Sequence, residues 1–304
     1  MPTELRAKDV DRLFRVPTSG RFRLKDQDTA WAGGDYFRDL SKDELKERAQ
    51  AYLTENLSEL AAAQQLLYAT DRHSVLVVLQ AMDAAGKDGT IKHVMSGLNP
   101  QGCQVHAFKA PSHEELDHDF LWRIAKALPE RGRIGIFNRS YYEDVLVVRV
   151  HPELLEHQKL PADLLGKNIW KQRFEDINAF ERHLWRNGTI IRKFFLQVSK
   201  KEQRKRFLER LDKPDKNWKF SSADLHEREY WNDYMKHFEE AIARTATKEA
   251  PWYVVPADHK WFTAVVVADA IVQALEGLDL SLPKATPAKR RELQAARRRL
   301  LAEG

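Results

Sequence analysis

Cysteine is almost missing from this chain. Cys103 is the one thiol among 304 residues, so no internal disulfide can staple the fold and no cysteine-rich metal site can assemble. No apolar run approaches the roughly 18 residues that a membrane-spanning helix needs. The N-terminal stretch MPTELRAKDVDRLFRV mixes both charge signs and lacks the apolar segment of about 7 to 15 residues that marks a secretory signal. These absences lead us to expect no membrane partner and a reducing, cytoplasmic location. Internal repeats and low-complexity blocks are absent too.

What is present supports a folded body. Hydrophobic residues make up 43% and charged residues 31% of the chain, with a mean hydropathy of −0.58. That balance can fill a core and still solvate a surface, which argues against wholesale disorder. The length suits one large α/β domain with extensions, or two smaller domains. A net charge of +5 invites a polyanion, but residues 281–304 hold seven Lys and Arg against two Glu, leaving 43 bases and 43 acids elsewhere. The body is neutral, so a polyanion bound there must meet a local cluster rather than a general positive field.

Periodicity predicts the architecture. Short, continuous, β-branched runs at 74–80, 103–108, 133–138, 189–197 and 252–257 read as strands buried on both faces of a parallel sheet. Helical patterns at 112–128, 168–186, 200–212 and 259–277 alternate with them, which implies right-handed crossovers and helices on both faces. Ser41 with Glu44 three positions on predicts a capping box and a long helix over 41–70. We therefore expect an irregular N-terminal arm and long helix over 1–72, an α/β core over 73–280, and a basic tail over 281–304. The lysine-rich, proline-interrupted loop after Leu211, running into a polar, aromatic helix, interrupts that rhythm; we read 211–240 as a lid over the sheet.

The first strand runs straight into AMDAAGKDGTIKHVM. A glycine-rich turn into a helix at a strand's carboxyl end gathers free N–H groups and the positive end of the helix dipole, which suits phosphate. Ala85, Gly86, Lys87, Asp88, Gly89, Thr90 and Lys92 are the candidate phosphate contacts. The G-x-x-x-x-G-K-[ST] pattern is met only in part, because Ala81 replaces the first glycine and Asp88 stands where a hydroxyl is expected. An ordinary βα turn would share the Gly-Lys pair. Asp83 inside an anion-seeking loop makes sense as a metal partner or proton acceptor, or as the anchor of an Asx turn.

The third strand ends in NRSYYEDVLVVRVHPE, where phosphate-loop enzymes place an acidic metal partner. Asn138 brings no charge to that place, so Glu143 and Asp144 are the expected anionic partners beside Asp83. Arg139 offers a bidentate fork for phosphoryl charge. Farther on, Arg206 and Arg210 share one face of a helix with Arg204 nearby, and Lys213, Lys216 and Lys219 stud the expected lid. Sparse cations along a channel suit a long chain of phosphates. Nucleic acid would favour basic residues interleaved with exposed aromatics and is disfavoured here, although Trp218 and Phe220 accompany the lid lysines. His113 and His118 are too isolated for a metal site. The string HEREY lacks the second histidine of a zinc motif, and the spaced tryptophans at 170, 185, 231, 252 and 261 fit core packing.

Taken together, QAMDAAGKDGTIK, GLNPQG, FNRSYYEDVLVVRVHPE, FFLQVSKKEQRKRFLERL and NWKFSSADLHEREYWNDY resemble the polyphosphate kinase 2 family over about 20–277. The NRSYYEDVLVVRV form resembles the branch acting on both nucleoside monophosphates and diphosphates. Another branch carries Asp-Arg-Ser where this chain has Asn138-Arg139-Ser140, so a mechanism needing a carboxylate at that spot does not carry over. The resemblance implies a three-layer α/β/α P-loop kinase fold, thymidylate-kinase-like, with a central parallel sheet and a helical lid. It implies reversible transfer of the terminal phosphoryl of inorganic polyphosphate to AMP, ADP or other purine nucleotides such as GMP and GDP, assisted by Mg²⁺ with Mn²⁺ as substitute. By position, Asp83, Lys87, Arg139 and Arg206 would be catalytic, with Arg204 and Arg210 as alternatives to Arg206. Arg204, Arg210, Lys216 and Lys219 would hold polyphosphate. Asn138, Arg139, Tyr142, Glu143 and Asp144 would bind nucleotide, and Asp83, Glu143 and Asp144 the metal. A homo-oligomer, dimer or tetramer, is expected. The competing readings are an ATP-dependent nucleoside or nucleotide kinase and, outside enzymes, a polyanion- or RNA-binding protein.

Overall fold

A computed structural model describes residues 7–33 and 40–303. Among them, five parallel strands form one sheet in the order β2-β3-β1-β4-β5: β1 Ser74–Gln80, β2 Cys103–Ala107, β3 Ile134–Asn138, β4 Thr189–Gln197 and β5 Trp252–Pro256. All seven residues of β1 are buried, as a central strand covered on both faces requires. The helix Lys260–Glu276 packs on β4, β5 and the helix Lys42–Thr70, while Ile169–Arg186 packs on β4 and against Trp231–Thr245. This is the three-layer α/β arrangement expected.

The two sheet edges differ. β2 is only partly covered, with Val105 52% exposed, so the 103–108 run is not buried on both faces as its composition suggested; it is an edge strand. The other edge is closed by the N-terminal segment. Arg15 bridges Tyr253 in antiparallel fashion, the Val16 amide donates to the Trp252 carbonyl at 2.8 Å, and Phe14 packs edge-on against Trp31 and Phe262. The arm expected to be irregular thus contains a helix, Ala7–Phe14, that covers an otherwise unpaired edge. Residues 1–6 and 34–39 of that arm, and Gly304 of the tail, lie outside the described residues.

Local signals explain most element boundaries. The capping box forms as expected: Glu44 N donates to Ser41 Oγ at 3.3 Å and Ser41 N to Glu44 Oε2 at 2.8 Å. The continuous helix expected over 112–128 is instead two short ones, His113–Leu116 and Trp122–Lys126. Asp119 accepts from Leu121 N at 2.9 Å, a turn that competes with the helix ladder. The segment read as a lid also divides. Pro214–Lys219 and Ser222–Glu229 have no buried residue, but Trp231–Thr245 buries Trp231, Tyr234, Phe238 and Ile242 in the main core. Its second half is anchored. Among the described residues no helix is long and apolar enough to cross a membrane.

Candidate functional site

The carboxyl ends of β1 and β3 open into a cavity of about 650 Å³ whose floor is the loop 83–90. After β1 the chain passes through positive φ at Ala84 (60°) and Gly86 (114°) before the helix Lys87–Val94 begins. A methyl on Gly86 would meet nothing closer than Arg206 Nη1 at 3.9 Å, so glycine is required there by backbone conformation, not by space. Lys87 crosses the turn and donates to the Ala81 carbonyl at 2.9 Å, leaving two ammonium donors uncommitted. Burial pulls its pKa down, Asp83 opposes that, and Arg139 adds to the depression. This lysine therefore favours an anionic ligand that would restore its lost solvation.

Across the loop, Arg139 Nη2 lies 3.1 Å from Asp83 Oδ1, both side chains partly exposed. Arg139 sits at φ 65°, with its amide donating to the Leu79 carbonyl at 3.0 Å; β1 and β3 together aim the guanidinium. Burial draws its pKa down, but Glu143 and Asp83 outweigh that and hold it above the usual arginine value. Asn138 Nδ2 donates to Asp88 Oδ1 at 2.8 Å, tying the end of β3 to the helix start.

Arg206 is only 4% exposed. Its guanidinium donates to the carbonyls of Ala84 (3.0 Å), Ala85 (2.7 Å), Ala257 (2.6 Å) and Asp258 (3.1 Å), while Nε meets Glu202 at 2.9 Å. Those bonds occupy an arginine's donor set, so Arg206, although it lines the cavity, braces the loop rather than offering free donors to a ligand. Arg210, Lys216 and Lys219 line the far wall; Arg210 pairs with Asp224 at 3.1 Å. Lys109 and Lys260 line the cavity as well, and sequence reasoning missed both. Each stands just past a strand's carboxyl end, the one signal that could have found them.

A cavity lined by eight Lys and Arg side chains against Asp83, Asp88 and Glu209 accepts a phosphate-rich ligand. The comparisons with known proteins agree. The family model for polyphosphate kinase 2 matches residues 41–282. The chain belongs to the polyphosphate kinase 2 family. It is an enzyme, a phosphotransferase. An ADP-polyphosphate phosphotransferase of Rhodopseudomonas palustris is 55% identical over 259 residues, which covers 85% of this chain and 90% of that protein. An AMP/ADP-polyphosphate phosphotransferase of Meiothermus ruber is 44% identical over 277 residues, covering 90% and 96%. The crystal structure of polyphosphate kinase 2 from Arthrobacter aurescens superposes with a TM-score of 0.82 at 40% identity, covering 94% of this chain and 96% of that one.

In this polyphosphate kinase 2 member, several expected site residues do not reach the cavity. Tyr142 is fully buried: its hydroxyl donates to Glu181 at 2.8 Å and accepts from Lys193 Nζ at 2.9 Å. It therefore cannot touch a nucleotide from this position. Asp144, 6% exposed, accepts from Gln158 at 2.7 Å and faces Arg173 at 3.9 Å. It lines a separate space of about 70 Å³, where burial, partly offset by Arg173, pushes its pKa up to about 6. The expected metal role for Asp144 beside Asp83 has no geometric support. Arg204 is exposed and Lys92 lies along the helix past the loop; neither lines the cavity. Thr90 does, though its hydroxyl donates to the Gly86 carbonyl at 3.1 Å.

Glu143 is the acidic neighbour that remains near the loop. It accepts from Gln80 at 2.8 Å and lies close enough to Lys87 and Arg139 to bias both. Among the described residues no group of three or more His, Cys, Asp or Glu side chains assembles as a metal cage. Mg²⁺ does not need one, because it binds through one or two carboxylates and substrate phosphates and keeps several waters. Asp83, a hard oxygen donor at the cavity lip, fits that requirement.

Proposed function

We propose that this protein transfers the terminal phosphoryl group of inorganic polyphosphate to AMP and ADP, reversibly, in the presence of Mg²⁺ or Mn²⁺. GMP and GDP are further acceptors, and the cytoplasm is the setting that a lone cysteine suits. The observation that carries the reading is the convergence of Lys87, Arg139 and Asp83 on one cavity at the ends of β1 and β3, in a chain whose relatives are named for polyphosphate and AMP or ADP.

Phosphoryl transfer asks for positioning and charge neutralisation more than for covalent help. The chain end of polyphosphate settles on the amides opening Lys87–Val94, with the two spare donors of Lys87 on its oxygens. Arg139 exchanges Asp83 for phosphate oxygens and stabilises the charge that develops on them. Asp83, so released, would hold the metal, which when bound would supply neutralisation of phosphate charge. Arg206 keeps the loop carbonyls turned away from the anion by bonding them itself. Arg210, Lys216 and Lys219 hold the following phosphates and exclude water.

The test is an assay matrix in which AMP, ADP, GMP and GDP are each mixed with polyphosphate and Mg²⁺, free of nucleoside triphosphate, with products resolved over time. Formation of ADP and then ATP from AMP is the expected result. Activity only after ATP is added as donor would replace this reading with that of an ordinary nucleotide kinase.

A further inference from the structure

Apart from the cationic cavity, the chain has a second concentration of positive charge. It sits on the helix Pro287–Ala302, which has no buried residue, and on the strand-free segment before it. Residues 281–304 carry seven bases against two acids while the rest of the chain is balanced. Lys289 pairs with Glu292; Arg290, Arg291, Arg297, Arg298 and Arg299 have no acidic partner among the described residues. Arg290 and Arg297 lie two turns apart on one face, and Arg291 and Arg298 two turns apart about 100° further round, with about 10 Å between members of each pair. The family match ends at residue 282, so this helix lies outside the region that the family model describes.

We infer that this helix is a docking arm for the distal stretch of a long polyphosphate chain whose end occupies the catalytic cavity, an inference that rests on the function proposed above. Charge complementarity identifies the occupant. Arginines cover about half of the helix circumference; Leu293, Ala296 and Leu300 form a narrow apolar stripe and exposed Leu301 sits among the arginines, too little for the broad apolar face with which a helix lies in a membrane. The segment 281–304 contains no Phe, Tyr or Trp, so it has no platform on which single-stranded bases could stack. A featureless, dense polyanion needs neither. Geometry adds a length requirement. The helix Lys260–Glu276 has 17 residues and starts at the cavity, where Lys260 lines the wall; its far end, from which the tail departs, is therefore about 25 Å away. A short donor fills the cavity without reaching the arm. A long one engages both, and the second contact is made at high effective concentration.

The test uses the full-length chain with Arg290→Gln, Arg291→Gln, Arg297→Gln, Arg298→Gln and Arg299→Gln combined. Steady-state kinetics are measured with tripolyphosphate and with a long-chain preparation, alongside nucleotide-free binding of the long chain by filter retention. The expected result is a KM for the long chain raised about tenfold at low ionic strength, a difference that shrinks as salt rises. The tripolyphosphate KM, kcat and thermal midpoint stay unchanged. Equal KM changes for both donors, or none for the long chain, overturn the inference. So does a variant that loses binding to single-stranded RNA or phosphatidylserine vesicles while its long-chain KM is unaltered. If the parent protein turns over neither donor, the proposed function fails; retention binding then decides the arm alone, and undiminished binding by the variant overturns it.

Discussion

Lys87 and Lys193 make an instructive pair. Both are desolvated ammonium groups with a carboxylate neighbour, and burial depresses the pKa of each. Lys193 is fully buried, and its donors go to Glu181 at 2.6 Å, the Thr245 carbonyl at 2.7 Å and the Tyr142 hydroxyl at 2.9 Å. Nothing is left to offer a ligand. Lys87 spends one bond on the Ala81 carbonyl and faces a cavity with the rest. The same chemical group is structural where its donors are saturated and available for function where they are not.

The Lys193 network also explains how the functional loop is held. Tyr141 and Tyr142 both donate to Glu181 Oε1, at 2.7 and 2.8 Å, and Trp252 meets Thr245 Oγ1 at 2.8 Å. Tyr141 and Tyr142 follow Ser140 directly, so the buried cluster fixes the turn from which Arg139 and Glu143 project.

The contrast can be broken by substitution. Lys193→Met leaves Glu181 charged in the core without its counter-ion, and should cost about 3–5 kcal/mol of stability, read from denaturant unfolding. A loss below ~1 kcal/mol would mean that the network is not what holds the turn. Lys87→Met should do the opposite, lowering kcat about 10²- to 10³-fold with little change in unfolding midpoint; near-full turnover would remove Lys87 from the chemistry. Asp144 sharpens the comparison as a buried carboxylate outside the cavity. Burial pushes its pKa up to about 6, above the ordinary aspartate value of 3.8. A raised folded pKa means stability present at low pH is lost as pH climbs through that interval. Asp144→Asn should therefore gain on the parent between about pH 4 and 6, by at most about 3 kcal/mol, in thermal melts across pH. A gap that does not change with pH would contradict this. Arg204→Ala, exposed and off the cavity, should shift stability by no more than about 0.5 kcal/mol and leave the KM for polyphosphate unchanged. A large KM effect would show that the cationic path runs along the other face of its helix.

Much of this was legible in the sequence. The run SVLVVLQ marks β1 residue for residue because a central parallel strand tolerates little but β-branched and aliphatic side chains. Asp83, Lys87 and Arg139 follow from their places at strand ends. Tyr142 and Asp144 misled because adjacency in a motif says nothing about direction. Tyr141–Val145 is a 3-10 turn, so successive side chains point about 120° apart, and those at 142 and 144 are buried. Pairings such as Glu181 with Lys193, or Val16 with Trp252, join distant segments that no local pattern links. Lys109 and Lys260 stayed hidden because ordinary lysines acquire meaning only when the sheet gathers their strand ends.

The most direct test is a crystal structure of the protein with polyphosphate and Mg²⁺. The account predicts terminal phosphate oxygens on the amides of residues 86–89 and on Lys87 Nζ, with Arg139 drawn from Asp83 onto the phosphates. A chain bound elsewhere, with that loop untouched and the Arg139–Asp83 pair intact, would contradict it.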